Sequence, residues 1–195
     1  MVLSPFLPDN TERYIACFLV DKVVHFTISK ERRTKHGDYR QPHKGQPHRI
    51  SVNGSLNQYA FLITTIHELA HLTTFEKHGN RVRPHGAEWK QEFKKLFLPL
   101  LAQDILPDDV QLALSRYLAD AKASSCSDDR LYRVLRRYDK NQGTLVEHLP
   151  HGAQFKLNGK IFVKGKKLRK RYECKDASNG KLYRVLGIAE IESIE

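Results

Sequence analysis

The sequence predicts an α+β chain, and three observations predict it. A strongly apolar helical run occupies residues 59–72, strand-like alternating segments precede it, and the tail is paced by Asn-Gly turns. At 195 residues the chain can hold one compact domain and a small appendage. The expected boundary is the Ser-, Cys- and Asp-rich break from Ala123 to Asp129, giving domains at 1–125 and 130–195.

Taken in order, Asn10 to Leu19 predicts a short helix with Tyr14, Ile15, Phe18 and Leu19 on one side. Val23 to Ser29 alternates as a strand, and Arg49 to Val52 reads as another before the Asn53-Gly54 turn. Between them, Lys30 to His48 is rich in Gly, Pro, Lys, Arg and His and reads as a long hairpin or loop. Tyr59, Phe61, Leu62, Ile63, Ile66, Leu69, Ala70 and Leu72 make the apolar helix, which Gly79-Asn80 stops. Pro84-His85-Gly86 opens a second helix to about Leu98, with Trp89, Phe93, Leu96 and Phe97 on its apolar face. A further helix is expected from Asp108 to Ala121. From Arg130 onward the reading is all-β, with reversals at Gln142-Gly143, Asn158-Gly159 and Asn179-Gly180. The pentapeptide Leu-Tyr-Arg-Val-Leu occurs at 131–135 and again at 182–186, both within the expected strand rhythm.

His67-Glu68-Leu69-Ala70-His71 carries the chemistry. Residues four apart share a helix face, so His67 and His71 can offer two imidazole nitrogens to one metal while Glu68 sits one position round. HExxH in this setting is the zinc-binding signature of metallopeptidases. A catalytic zinc needs a third protein ligand. His85, separated from His71 by thirteen residues and near a helix start, fits best, while Glu88 and Glu92 remain carboxylate alternatives. A metzincin arrangement fails, because Thr74 and Lys77 stand where it needs Gly and His, and His78 is one place out of register. His36, His43 and His48 lack ligand spacing and read as loop histidines.

The HELAHL run followed by PHGAEWK resembles the SprT-like metalloproteases, the group that includes the eukaryotic DNA-protein crosslink protease Spartan. The matching residues are His67, Glu68, His71, His85, Gly86 and Trp89, and the resemblance runs from about residue 10 to 125. It implies a mini-zincin core: an N-terminal helix, a small antiparallel sheet, the HExxH helix, and a helix carrying the third ligand. It further implies Zn2+ held by His67, His71 and His85, with Glu68 as general base and then proton donor to the leaving amine. Tyr39 and Tyr59 are candidate oxyanion donors, with a structural role competing for both. Extended substrates of zincins commonly lie along an exposed strand edge, which the 30–48 stretch can border. Bacterial members resembling this chain often end in a zinc ribbon. Cys17, Cys126 and Cys174 show no CxxC spacing, so a small β subdomain with apolar packing in place of the metal is expected.

Charge points to a polyanionic partner, with 33 Lys plus Arg against 22 Asp plus Glu, a net +11 and a pI near 9.6. Lys164, Lys166, Lys167, Arg169, Lys170 and Arg171 crowd one segment with no acidic residue among them, as sequence-independent contact with DNA phosphates requires. The competing reading is a solvated face. Tyr132, Tyr138, Phe155, Phe162, Tyr172 and Tyr183 interleave the tail and could stack on single-stranded bases, or fill a core. With no apolar run of transmembrane length and no signal-like start, a cytoplasmic protein without membrane contact is expected. Two function classes follow: a zinc-dependent endopeptidase acting on DNA-associated or DNA-crosslinked proteins, or a non-proteolytic DNA-binding scaffold with a structural zinc.

Overall fold

The computed structural model describes residues 2–32, 35–103, 105–119 and 128–192. The chain divides into two compact units, Met1–Lys140 and Asn141–Glu195. In the first, a 3-10 turn (Ser4–Phe6) leads to α1 (Glu12–Asp21), then β1 (Val24–Ser29), β2 (Gly37–Arg40) and β3 (His48–Asn53). Helices α2 (Gln58–His78), α3 (Ala87–Leu101), α4 (Asp108–Ala119) and α5 (Asp129–Arg136) follow.

α2 is the central element. Asn57 caps its start by accepting hydrogen bonds from Tyr59 N and Ala60 N, and Gly79, at φ 60°, ends it. Its sequence is apolar almost all round, and the structure buries it accordingly, from Phe61, Leu62 and Ile66 to Leu69, Ala70 and Leu72. Asn57 Nδ2 also donates to Leu135 O and Asp139 Oδ1, tying the helix start to the last turn of α5 and the chain just beyond it.

The sheet corrects one expectation. It is mixed rather than antiparallel, in the order β1-β3-β2. β1 runs parallel to β3, Val24 opposite His48 through Ser29 opposite Asn53, and β2 pairs antiparallel from Gly37 opposite Val52 to Arg40 opposite Arg49. The reason is the long polar connection, which carries the chain past the future position of β3 to the far edge and lets it return beside β1. Asn53, only 1% exposed, fastens that crossover. Its Nδ2 donates to Arg32 O and Lys35 O, and its Oδ1 accepts from Arg32 Nε at 2.7 Å.

A second correction concerns residues 130–136. Expected as the first strand of the tail, this segment is α5, and Leu131 is buried in the core of the first unit. Asp128 caps it through Arg130 N and Leu131 N, and Leu131, Val134 and Leu135 then share a helical stripe. Residues 130–140 therefore stay with the first unit. Most of the expected boundary, residues 123–127, lies outside the described residues. α4 matches its expected start, while residues 120 and 121 of the expected end are likewise outside them.

The second unit is an antiparallel sheet in chain order: β4 (Gln154–Leu157), β5 (Lys160–Lys167), β6 (Arg171–Asp176) and β7 (Leu182–Leu186). Asn158 and Gly159, at φ 52° and 73°, make the two-residue turn that joins β4 to β5. Val146, Phe155, Phe162, Tyr172 and Val185 fill its core around Cys174, which is free and buried. Among the described residues, no helix is long and apolar enough to cross a membrane.

Candidate metal centre

His67 and His71 lie one turn apart on α2, and His85 approaches them from the turn before α3. His85 adopts the left-handed backbone region, φ 59°, a conformation uncommon for non-glycine residues but comparatively frequent for histidine. Pro84 precedes it and Gly86 caps α3, so a tight reversal brings the imidazole back onto α2. Lys77 Nζ and Glu92 Oε1, 2.6 Å apart, join the two helices beyond the site.

Nε2 of His67 lies 3.1 Å from Nε2 of both His71 and His85. The ligand atoms of the three histidines fall within 4.8 Å of one another. Two nitrogens each 2.0–2.1 Å from a tetrahedral zinc would stand about 3.4 Å apart, so the observed convergence fits one ion. Burial supports ligation too. It pushes His67 down to about 2, with His71 and His85 adding to the effect, pushes His71 down to about 4, and lowers His85 as well. Each shift favours the neutral imidazole, the form that ligates a metal. Neither Glu88 nor Glu92 joins the group, and Glu92 is turned to Lys77 instead. His36, His43, His48 and His78 also lie outside it.

Trp89 walls the site. Its ring stands 4.6, 5.3 and 4.9 Å from those of His67, His71 and His85, it stacks on Phe93, and it is 1% exposed. One apolar side chain thereby holds all three imidazoles and keeps water from their backs.

Glu68, 6% exposed, points from α2 toward β2 rather than joining the histidines. It accepts a hydrogen bond from the backbone N–H of Tyr39. Burial raises its pKa to about 8, Asp38 adds to the rise, and Arg32, Lys35 and the Tyr39 N–H oppose it. A Cβ at Gly37 would collide with Glu68 Oε1 and come within 2.7 Å of Thr64 Cγ2, so glycine there leaves room for the carboxylate. Tyr39 stacks nearly parallel to His71 at 6.3 Å, and its hydroxyl is 3.0 Å from His48 Nδ1. Tyr59 instead meets Tyr138 edge-on at 4.8 Å. The roles of Gly37 and the Tyr39 N–H escaped the sequence reading, because a four-residue strand inside a polar stretch shows too little periodicity to be seen.

The basic run of the second unit sorts into two kinds of residue. Lys164 is 4% exposed, donates to the carbonyls of Glu147 and Leu149, and holds its ammonium 4.1 Å over the Tyr172 ring. It is a core residue, which removes it from the expected phosphate-binding set: strand alternation turns it inward while its neighbours face out. Lys166, Lys167, Arg169, Lys170 and Arg171 are exposed around the β5–β6 hairpin, with Lys166 3.7 Å from Glu173. Phe155, Phe162 and Tyr172 are buried in the core and offer no stacking face, while Tyr183 is 36% exposed.

An HExxH helix thus meets a third histidine from the head of the next helix, beside a small mixed sheet, and the three side chains could hold one metal ion. Residues 10–100 match the SprT-like family model. Protein SprT of Vibrio atlanticus (strain LGP32) is 52% identical over 44 residues, covering 22% of this chain and 26% of that protein. The match thus spans about a quarter of the relative's length. No solved structure matches the chain.

Proposed function

We propose that the chain is a zinc-dependent endopeptidase of the cytoplasm that cleaves proteins attached to or associated with DNA. The observation that carries the reading is the convergence of His67, His71 and His85 beside a buried carboxylate that stands off the metal position. When bound, zinc supplies a water of lowered pKa and a Lewis acid for the scissile carbonyl. Glu68, oriented by Tyr39 N–H, takes the proton of the attacking water and passes it to the leaving amine. β2 is the sheet edge on the Glu68 side, so an extended peptide pairing with it would run past the histidines. The DNA-directed half rests on the resemblance to the Spartan group and on the exposed cations of the β5–β6 hairpin.

The test is cleavage of a purified DNA-binding protein by the zinc-loaded chain, with and without single-stranded DNA. DNA-stimulated cleavage is expected. Equal cleavage under both conditions would remove the DNA-directed half, and no cleavage at full zinc occupancy would favour the structural-zinc scaffold. Gly37→Ala is expected to lower turnover about 10- to 100-fold at wild-type zinc content, because the added methyl displaces Glu68. Unchanged turnover in that variant would show that the carboxylate needs no such cradle.

A further inference from the structure

The solvent face of the three-stranded sheet, opposite α2, carries a cleft of about 160 Å³. Strand register builds it in two rows. His25, Arg49 and Arg40 stand side by side across β1, β3 and β2, and Thr27, Ser51 and Asp38 form the next row. Arg32 closes one side, its guanidinium held by Ser51 Oγ at 2.9 Å and by Asn53 Oδ1.

The charges do not balance. Asp38, the acidic side chain lining the cleft, is already engaged by Lys35 at 2.7 Å and Arg40 at 3.0 Å, and its carboxyl is held below the usual range. Arg32 is anchored by neutral acceptors only. Arg49 has no ion pair among the described residues, and its Nε is buried without a hydrogen-bond partner. A buried guanidinium N–H without an acceptor is costly, and an oxyanion entering the cleft would supply one.

We propose that this face binds the phosphodiester backbone of a nucleic acid, with Arg49 and Arg40 as its principal contacts. Planar guanidinium forks match phosphate oxygens two at a time, and Thr27 and Ser51 add neutral donors. No Phe, Tyr or Trp ring lines the cleft, and His25 is its one imidazole, so the lining suits a grip on the backbone more than stacking on bases. At about 160 Å³ it is smaller than the roughly 300–1,000 Å³ of small-molecule sites, and it suits one phosphate group of a longer chain. The net charge of +11 favours a polyanion over a lone ion. The proposal shares its partner with the reading above but does not depend on peptide hydrolysis, because it concerns binding alone.

The experiment is a fluorescence-anisotropy titration of labelled single-stranded DNA with the full, zinc-loaded chain over a series of salt concentrations. Arg49→Glu is expected to raise Kd about tenfold and to flatten the log Kd against log salt slope by about one. Lys95→Glu, the same charge change on an exposed site of α3, serves as control and should do much less. Should Arg49→Glu fold poorly, judged by its melting midpoint and zinc content, Arg40→Gln replaces it, since that side chain is 62% exposed. Equal effects of the sheet variant and Lys95→Glu, or none from the sheet variant, would overturn the proposal. Inorganic phosphate competing as well as the oligonucleotide would overturn it too, by making the cleft a small-anion site.

Discussion

Glu68→Gln is expected to cut peptidase turnover by about 10²- to 10⁴-fold while leaving zinc content at the wild-type level. The carboxamide keeps the volume of a side chain only 6% exposed and can still accept the Tyr39 N–H, so position is conserved and only proton transfer is lost. Stability should hold or rise slightly, because burial already disfavours the ionised carboxylate and raises its pKa to about 8. Turnover and metal per chain, measured on the same preparation, decide the matter. Retained turnover would deny Glu68 its role, and zinc lost together with activity would make it a ligand instead.

His85→Ala is expected to lose zinc on dialysis, with affinity falling by more than about 100-fold, whereas His78→Ala keeps it. Two histidines remain on α2, but without the third the ion has neither its tetrahedral set nor its closure from the α3 side. Position 85 sits at φ 59°, where alanine is itself strained, so His85→Asn separates the two effects, since asparagine tolerates that backbone. Zinc lost equally from the His78 and His85 variants would sink the third-ligand assignment.

What was legible in the sequence was whatever repeats with a helical period or carries a chemically specific spacing. The α2 run, its Gly79 stop, the apolar face of α3 and the histidine trio all emerged from local pattern, and the structure brings them together. The pentapeptide Leu-Tyr-Arg-Val-Leu marks the limit of that approach. At 131–135 an Asp128 cap and a core contact through Leu131 make it helix, and at 182–186 a turn containing Asn179-Gly180 and pairing with β6 make it strand. Its composition suits either state, so the flanking cap and the available partner decide. The parallel pairing of β1 with β3 was illegible for a related reason, because it depends on Asn53 fastening a distant crossover. Lys164 shows the same limit in charge: a basic run read along the chain does not say which of its members turns inward.

β2 spans only four residues, Gly37–Arg40, with Pro42 two places beyond. Such a short edge offers a guest strand few main-chain hydrogen bonds, and those it offers are blind to side-chain identity. On the proposed function, a freely diffusing protein would be held too briefly for efficient cutting. On the same reading, a protein sharing a polymer with this chain would meet it at an effective concentration set by the tether, and avidity would then make up for a weak grip.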